Sequence, residues 1–148
     1  MTVGRIQDLD PALQPLAIAF LIQCNAGLPD GCCVRMGRTW SSKADQQALF
    51  DKGLSHARPD FDCHCCVDDK GDPASKAFDF LCFTKEMVYI TDGTHLAYAT
   101  CGNIGKALGL SWGGDWTHTK PDFDHFNLAS WVWGKSIEEN LALQSNIT

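Results

Sequence analysis

Glycine placement constrains this chain most. Gly27, Gly53, Gly93 and Gly109 divide it into short segments. Pro15 at a first helical position, with Leu13, Leu16, Ala17, Phe20, Leu21 and Cys24 at three- and four-residue spacing, predicts a helix ending at Gly27. Ser42 as N-cap, with Asp45 three residues on, starts a second helix that turns Ala48 and Leu49 inward and stops at Gly53. "KAFDFLCF" (76–83) and "MVYIT" (87–91) read as strands, the latter closed by an Asp92-Gly93 turn. Residues 95–108 read as a helix stopped by Gly109, and "LSW" and "HFNL" as two further short strands. Ser136 with Glu139 caps a last helix over about 136–144, and the terminal "QSNIT" is expected to fray. Short strands with hairpin-length connections and interspersed helices predict an α+β fold, a small antiparallel sheet with flanking helices. No glycine-rich phosphate loop follows a strand, so nothing supports nucleotide binding.

With 148 residues and 45% apolar content, the chain is expected to form one domain over residues 1–148 around its own core. A formal charge of −6 without a Lys/Arg cluster argues against nucleic acid or anionic lipid as partner. The longest apolar run, Leu16 to Ile22, is far shorter than the roughly 20 residues that span a bilayer. It also fails as a secretory signal, because Asp8 and Asp10 precede it and no small-residue cleavage site follows. We read it as a buried helix.

The eight cysteines admit two readings. An even count suits a disulfide framework in an exported protein, whereas a chain of this length without an export signal favours reduced thiols. "CHCC" at 63–66 resembles half of a structural zinc site, but no second Cys or His pair completes it.

From Gly53 to Pro73 the chain is rich in Gly, Pro, Asp and Cys with no sustained period, which predicts a long irregular loop of the kind that usually carries function. That loop contains His64, the strand after it Asp79, and the stretch "GGDWTHTKPDFDHF" (113–126) delivers His125. Two imidazoles and one carboxylate with an open fourth position are what a catalytic zinc requires, whereas structural zinc takes four closed ligands.

Four segments, "GRTWSSKADQQALFDKG", "SKAFDF", "LGLSWGGDW" and "DFDHF", occur in the order and spacing of a known family. Over roughly residues 30–128 the chain resembles the zinc-dependent, VanY-like D-alanyl-D-alanine carboxypeptidases and L-alanyl-D-glutamate endopeptidases, which include many phage endolysins. The resemblance implies a Hedgehog/DD-peptidase-like fold and Zn2+ as cofactor. Asp79 matches the family's ligand Asp and His125 its second ligand His. The first His departs from the pattern: seven residues before Asp79 stands Asp72, and no serine lies two before His64. A lengthened loop, "HCCVDDKGDPASKAFD", would bring His64 to the metal, with Asp72 or His56 of "LSHA" as alternative ligands.

The resemblance further implies Asp122, in Asp-x-x-His, as general base, taking a proton from water and returning it to the leaving amine. It implies Arg38 as the electrophilic partner of a substrate carbonyl or carboxylate, with Gln46 orienting it. Asp124 reads as a solvated turn residue. Gly113 and Gly114 would permit positive φ and close backbone approach, and Trp112 and Trp116 read as packing that orders the turn. The function implied is hydrolysis of the peptidoglycan stem peptide by a monomeric, endolysin-type L-alanyl-D-glutamate endopeptidase, made in the host cytoplasm and acting on the wall after release. The alternatives are a D-alanyl-D-alanine carboxypeptidase and a non-catalytic wall-binding module on the same scaffold.

Overall fold

In a computed structural model, residues 4–145 are described. A four-stranded, fully antiparallel sheet in the order β1-β2-β4-β3 forms the centre, with β1 at Cys33–Met36, β2 at Ala77–Phe83, β3 at Leu110–Trp112 and β4 at His125–Leu128. Alternation along β2 sends Phe78, Phe80 and Cys82 to one face and Ala77, Asp79 and Leu81 to the other. The register makes β4 repeat the rule: Phe126 lies opposite Phe78, while His125 faces Asp79 and Asn127 faces Ala77.

Helices α1 (Gln14–Gly27) and α3 (Leu96–Ala107) pack together and against the Phe face. Phe20 of α1 meets Phe78, Phe80 and Phe126 at centroid separations of 5.0–5.5 Å, within the range of favourable aromatic pairing. The helix is one-sided rather than enclosed: Leu13, Ala17, Phe20 and Cys24 are buried, but Ile22 is 65% exposed. Two glycines let α3 approach closely, since a Cβ at Gly105 would stand 2.2 Å from the Phe126 ring and one at Gly102 would stand 2.6 Å from Trp112. Gly109, at φ +92, ends the helix in the left-handed region as its position predicts.

A second, smaller core lies on the opposite face of the sheet, formed by Cys63, Cys65, Cys66, Ala77, Trp131 and Ile137. Residues 53–73 are thus tethered from beneath, and within them Pro59–Phe61 and Cys63–Cys65 form two 3₁₀ turns. Helix α2 (Lys43–Asp51) begins at Ser42, whose side chain accepts from the Asp45 amide at 3.0 Å. Helix α4 (Ile137–Ser145) begins with the reciprocal Ser136–Glu139 capping pair.

Three expectations need correction. Strand β1 has no counterpart in the sequence reading, although its four residues alternate in burial as a half-buried strand does. "MVYIT" is not a strand: Met87 adopts φ +63 in the turn, and after it only the single bridge Phe83–Tyr89 forms. In α2 the residue facing inward is Gln46, fully buried, while Ala48 is exposed and Leu49 half-buried. Of "QSNIT", residues 146–148 lie outside the described range. Among the described residues no helix is long and apolar enough to cross a membrane.

Candidate metal centre and its cleft

Cross-strand pairing puts the Asp79 and His125 side chains on the same face of the sheet. The Asp79 Oδ1 atom lies 3.3 Å from His125 Nδ1 and 3.3 Å from His64 Nε2. His64 reaches this point from the 3₁₀ turn, where Asp62 caps the His64 amide at 2.9 Å and Cys63, His64 and Cys65 are all buried. One ligand atom from each of His64, Asp79 and His125 falls within 4.8 Å of the others. Asp72 is exposed and turned into a local loop with Asp68, and His56 lines the same cleft but is exposed.

The donor set fits a cation. His64 Nδ1 lies 2.6 Å from the Thr39 carbonyl, which can only accept, so that nitrogen carries the proton and Nε2 presents a lone pair. His64 Nε2 and Asp79 Oδ1 are both buried without a hydrogen-bond partner, an arrangement that costs free energy unless a positive charge sits between them. Burial works to raise the Asp79 pKa, but His64 and His125 outweigh it and hold the carboxyl well below its ordinary range. Burial likewise opposes charge on His125, yet Asp79 and then Asp122 prevail and raise its pKa. Both shifts say that this point in the fold attracts positive charge. The flanking cysteines are not part of the converging group: they pack in the second core, where burial pushes the Cys65 thiol up to about 12 and the Cys66 thiol up to about 11.

Arg38 follows the end of β1, where the Asp79 amide donates to the Arg38 carbonyl at 2.7 Å. Its guanidinium lies 3.4 Å from Asp79 Oδ2 and 3.8 Å from Asp62 Oδ2, and donates to Gln46 Oε1 at 3.0 Å. Gln46 in turn donates to Ser55 Oγ and the Ala57 carbonyl, tying α2 to the loop. Asp122 is half-buried at the cleft wall, with its amide donating to the Gly113 carbonyl at 2.9 Å. A Cβ at Gly113 would stand 2.4 Å from the Asp122 carbonyl oxygen, so close approach, not positive φ, requires glycine there.

The cleft measures about 520 Å³ and contains Arg38, His64, Asp122 and His125 together with Trp116 and Trp133. Trp112 packs in the core and donates to the Phe123 carbonyl, as expected. Trp116 departs from the packing role: it lines the cleft 4.9 Å from the His125 ring and 4.9 Å from Trp133. Trp133, Asp62, Thr39 and Asn127 escaped the sequence reading. For Asn127 a signal existed, since His-x-Asn on a strand sends both side chains to one face. Asp124 is not a solvated turn residue: it is half-buried, and burial together with its hydrogen bond to Asp122 raises its pKa to about 9.

The sequence profile of the D-alanyl-D-alanine carboxypeptidase peptidase family matches residues 74–128. Asp79, Asp122 and His125 lie within the matched range. His64 and Arg38 lie outside the matched range. The solved structure of the Serratia marcescens L-Ala D-Glu endopeptidase ChiX shares the fold, with a TM-score of 0.62 over 84% of this chain and 83% of that one, at 18% identity. No curated protein matches the chain in sequence. The α+β fold expected from the sequence is the one observed, and that endopeptidase shares it.

Proposed function

We propose that the protein is a zinc-dependent peptidase that hydrolyses the stem peptide of peptidoglycan, as an L-alanyl-D-glutamate endopeptidase with a lytic, endolysin-type role. The observation that carries this reading is the convergence of His64, Asp79 and His125 in one cleft with Asp122 and Arg38. The likeness to an L-Ala D-Glu endopeptidase over most of both chains supports the endopeptidase over other peptidases.

His64 Nε2, Asp79 Oδ1 and His125 Nδ1 would hold the zinc, which supplies Lewis-acid polarisation of the scissile carbonyl and acidifies water. Asp122 takes the proton from the attacking water as the C–O bond forms, then hands it to the amine nitrogen as the C–N bond breaks. Arg38, held by Asp79 and Gln46, offers its guanidinium to the carbonyl oxygen or to a stem carboxylate. Trp116 and Trp133 wall off water beside His125. The enzyme would act on the wall after release from the cytoplasm, as a monomer.

A carboxypeptidase releasing terminal D-alanine is the second reading, favoured by the family description matched at residues 74–128. Digestion of purified peptidoglycan with mass analysis of the products separates the two. A new N-terminal D-glutamate on the residual stem means endopeptidase, and free D-alanine means carboxypeptidase. No cleavage by zinc-replete protein would leave a wall-binding module and overturn both enzymatic readings.

A further inference from the structure

His125 and Asn127 stand two residues apart on β4, so both side chains leave the same face, while Phe126 between them points into the aromatic core. Asn127 is 1% exposed. Its Nδ2 donates to the Leu128 carbonyl at 2.9 Å, and because a carbonyl only accepts, the orientation of the amide is fixed. Its Oδ1 therefore faces His125 Nε2, at 3.0 Å, and an amide oxygen also only accepts. The proton of a neutral His125 must sit on Nε2, leaving the lone pair of Nδ1 directed at Asp79.

His64 presents the opposite nitrogen, with its proton held by the Thr39 main-chain carbonyl. Substitution at Thr39 leaves that acceptor in place. At His125 the acceptor is a side chain, so here the residue type chooses the tautomer.

We infer that Asn127 is a positioning residue that fixes His125 in its Nε2–H tautomer and aims Nδ1 into the metal centre, an inference that rests on the metal reading above. A neutral amide does this without adding a second anion to the ligand group, in which Asp79 is the one carboxylate among the described residues. Removing such an outer partner commonly costs about 10- to 100-fold in metal affinity.

The test combines zinc affinity, measured by competition with a chromophoric chelator, and the ring-nitrogen NMR signals of His125. The unsubstituted protein should bind zinc and show His125 protonated at Nε2. Asn127→Leu, close in volume but without an acceptor, should weaken zinc by about 10- to 100-fold, and Asn127→Asp should restore the affinity. Folded Asn127→Leu with unchanged zinc affinity overturns the positioning role. So does an Nδ1-protonated His125 in the unsubstituted protein, a result that needs no variant and stands if Asn127→Leu fails to fold. Failure of the unsubstituted protein to bind zinc would instead strike the metal reading, and this inference with it.

Discussion

Asp79 and His125 are direct partners across the β2–β4 ladder, and a single oxygen of Asp79 lies 3.3 Å from a ring nitrogen of His125 and from one of His64. Two of the three groups are thus set by strand register, and only the third arrives by a loop. Loss of either strand-borne group should empty the site without unfolding the sheet. Purified protein should carry about one zinc ion per chain by elemental analysis, and His125→Ala should carry none while keeping its circular dichroism spectrum. A His125→Ala protein that retains zinc would exclude this residue as a ligand.

Asp122 touches the cleft but is not among the three converging ligands. Asp122→Ala should keep its zinc and lose about 10²- to 10⁴-fold in turnover on peptidoglycan fragments. Cleavage near the parental rate would remove the base assignment.

Gln46 is buried and bridges Arg38 to Ser55 and the Ala57 carbonyl of the loop, three partners on two segments. Gln46→Leu leaves those groups unsatisfied, and denaturant unfolding should show a loss of about 1–3 kcal/mol. Substrate affinity should fall as well, because Arg38 then has one anchor fewer.

The raised pKa of Asp124 has a definite sign in stability. Its carboxyl keeps a proton in the folded state up to about 9, against 3.8 ordinarily. The folded state therefore binds more protons between these values, and the stabilisation, fully present below 3.8, is lost as the pH rises through about 9. Asp124→Asn preserves a donor toward Asp122 without the titration. The melting temperature of the variant should match the parent in mild acid and exceed it in alkali; parallel curves across that range would refute the shift.

Close helix–sheet packing depends on a missing side chain at Gly105, where a Cβ would stand 2.2 Å from the Phe126 ring. Gly105→Ala normally favours a helix, yet here overpacking should dominate and destabilise by about 1–3 kcal/mol. A rise in melting temperature would show that α3 can shift without loss.

What the sequence determined by itself was whatever local periodicity and capping encode. The alternation in "KAFDFLCF" and "HFNL" set which side chains of β2 and β4 share a face, and Ser42, Ser136 and Gly109 set helix ends through bonds within a few residues. Asp79 and His125 were legible as part of a His/Asp/His donor set that the resemblance matched to ligand positions, and resemblance added Asp122 and Arg38. Tertiary structure decided the rest, because it depended on contacts between distant segments. His64, rather than Asp72 or His56, meets the strands because Cys63, Cys65 and Cys66 bury against Ala77 and Trp131 and draw the loop beneath the sheet. Burial beside Asp122 raises the Asp124 pKa where the sequence suggested a surface acid, and β1 takes its place in the sheet by pairing with β2, a contact between distant segments.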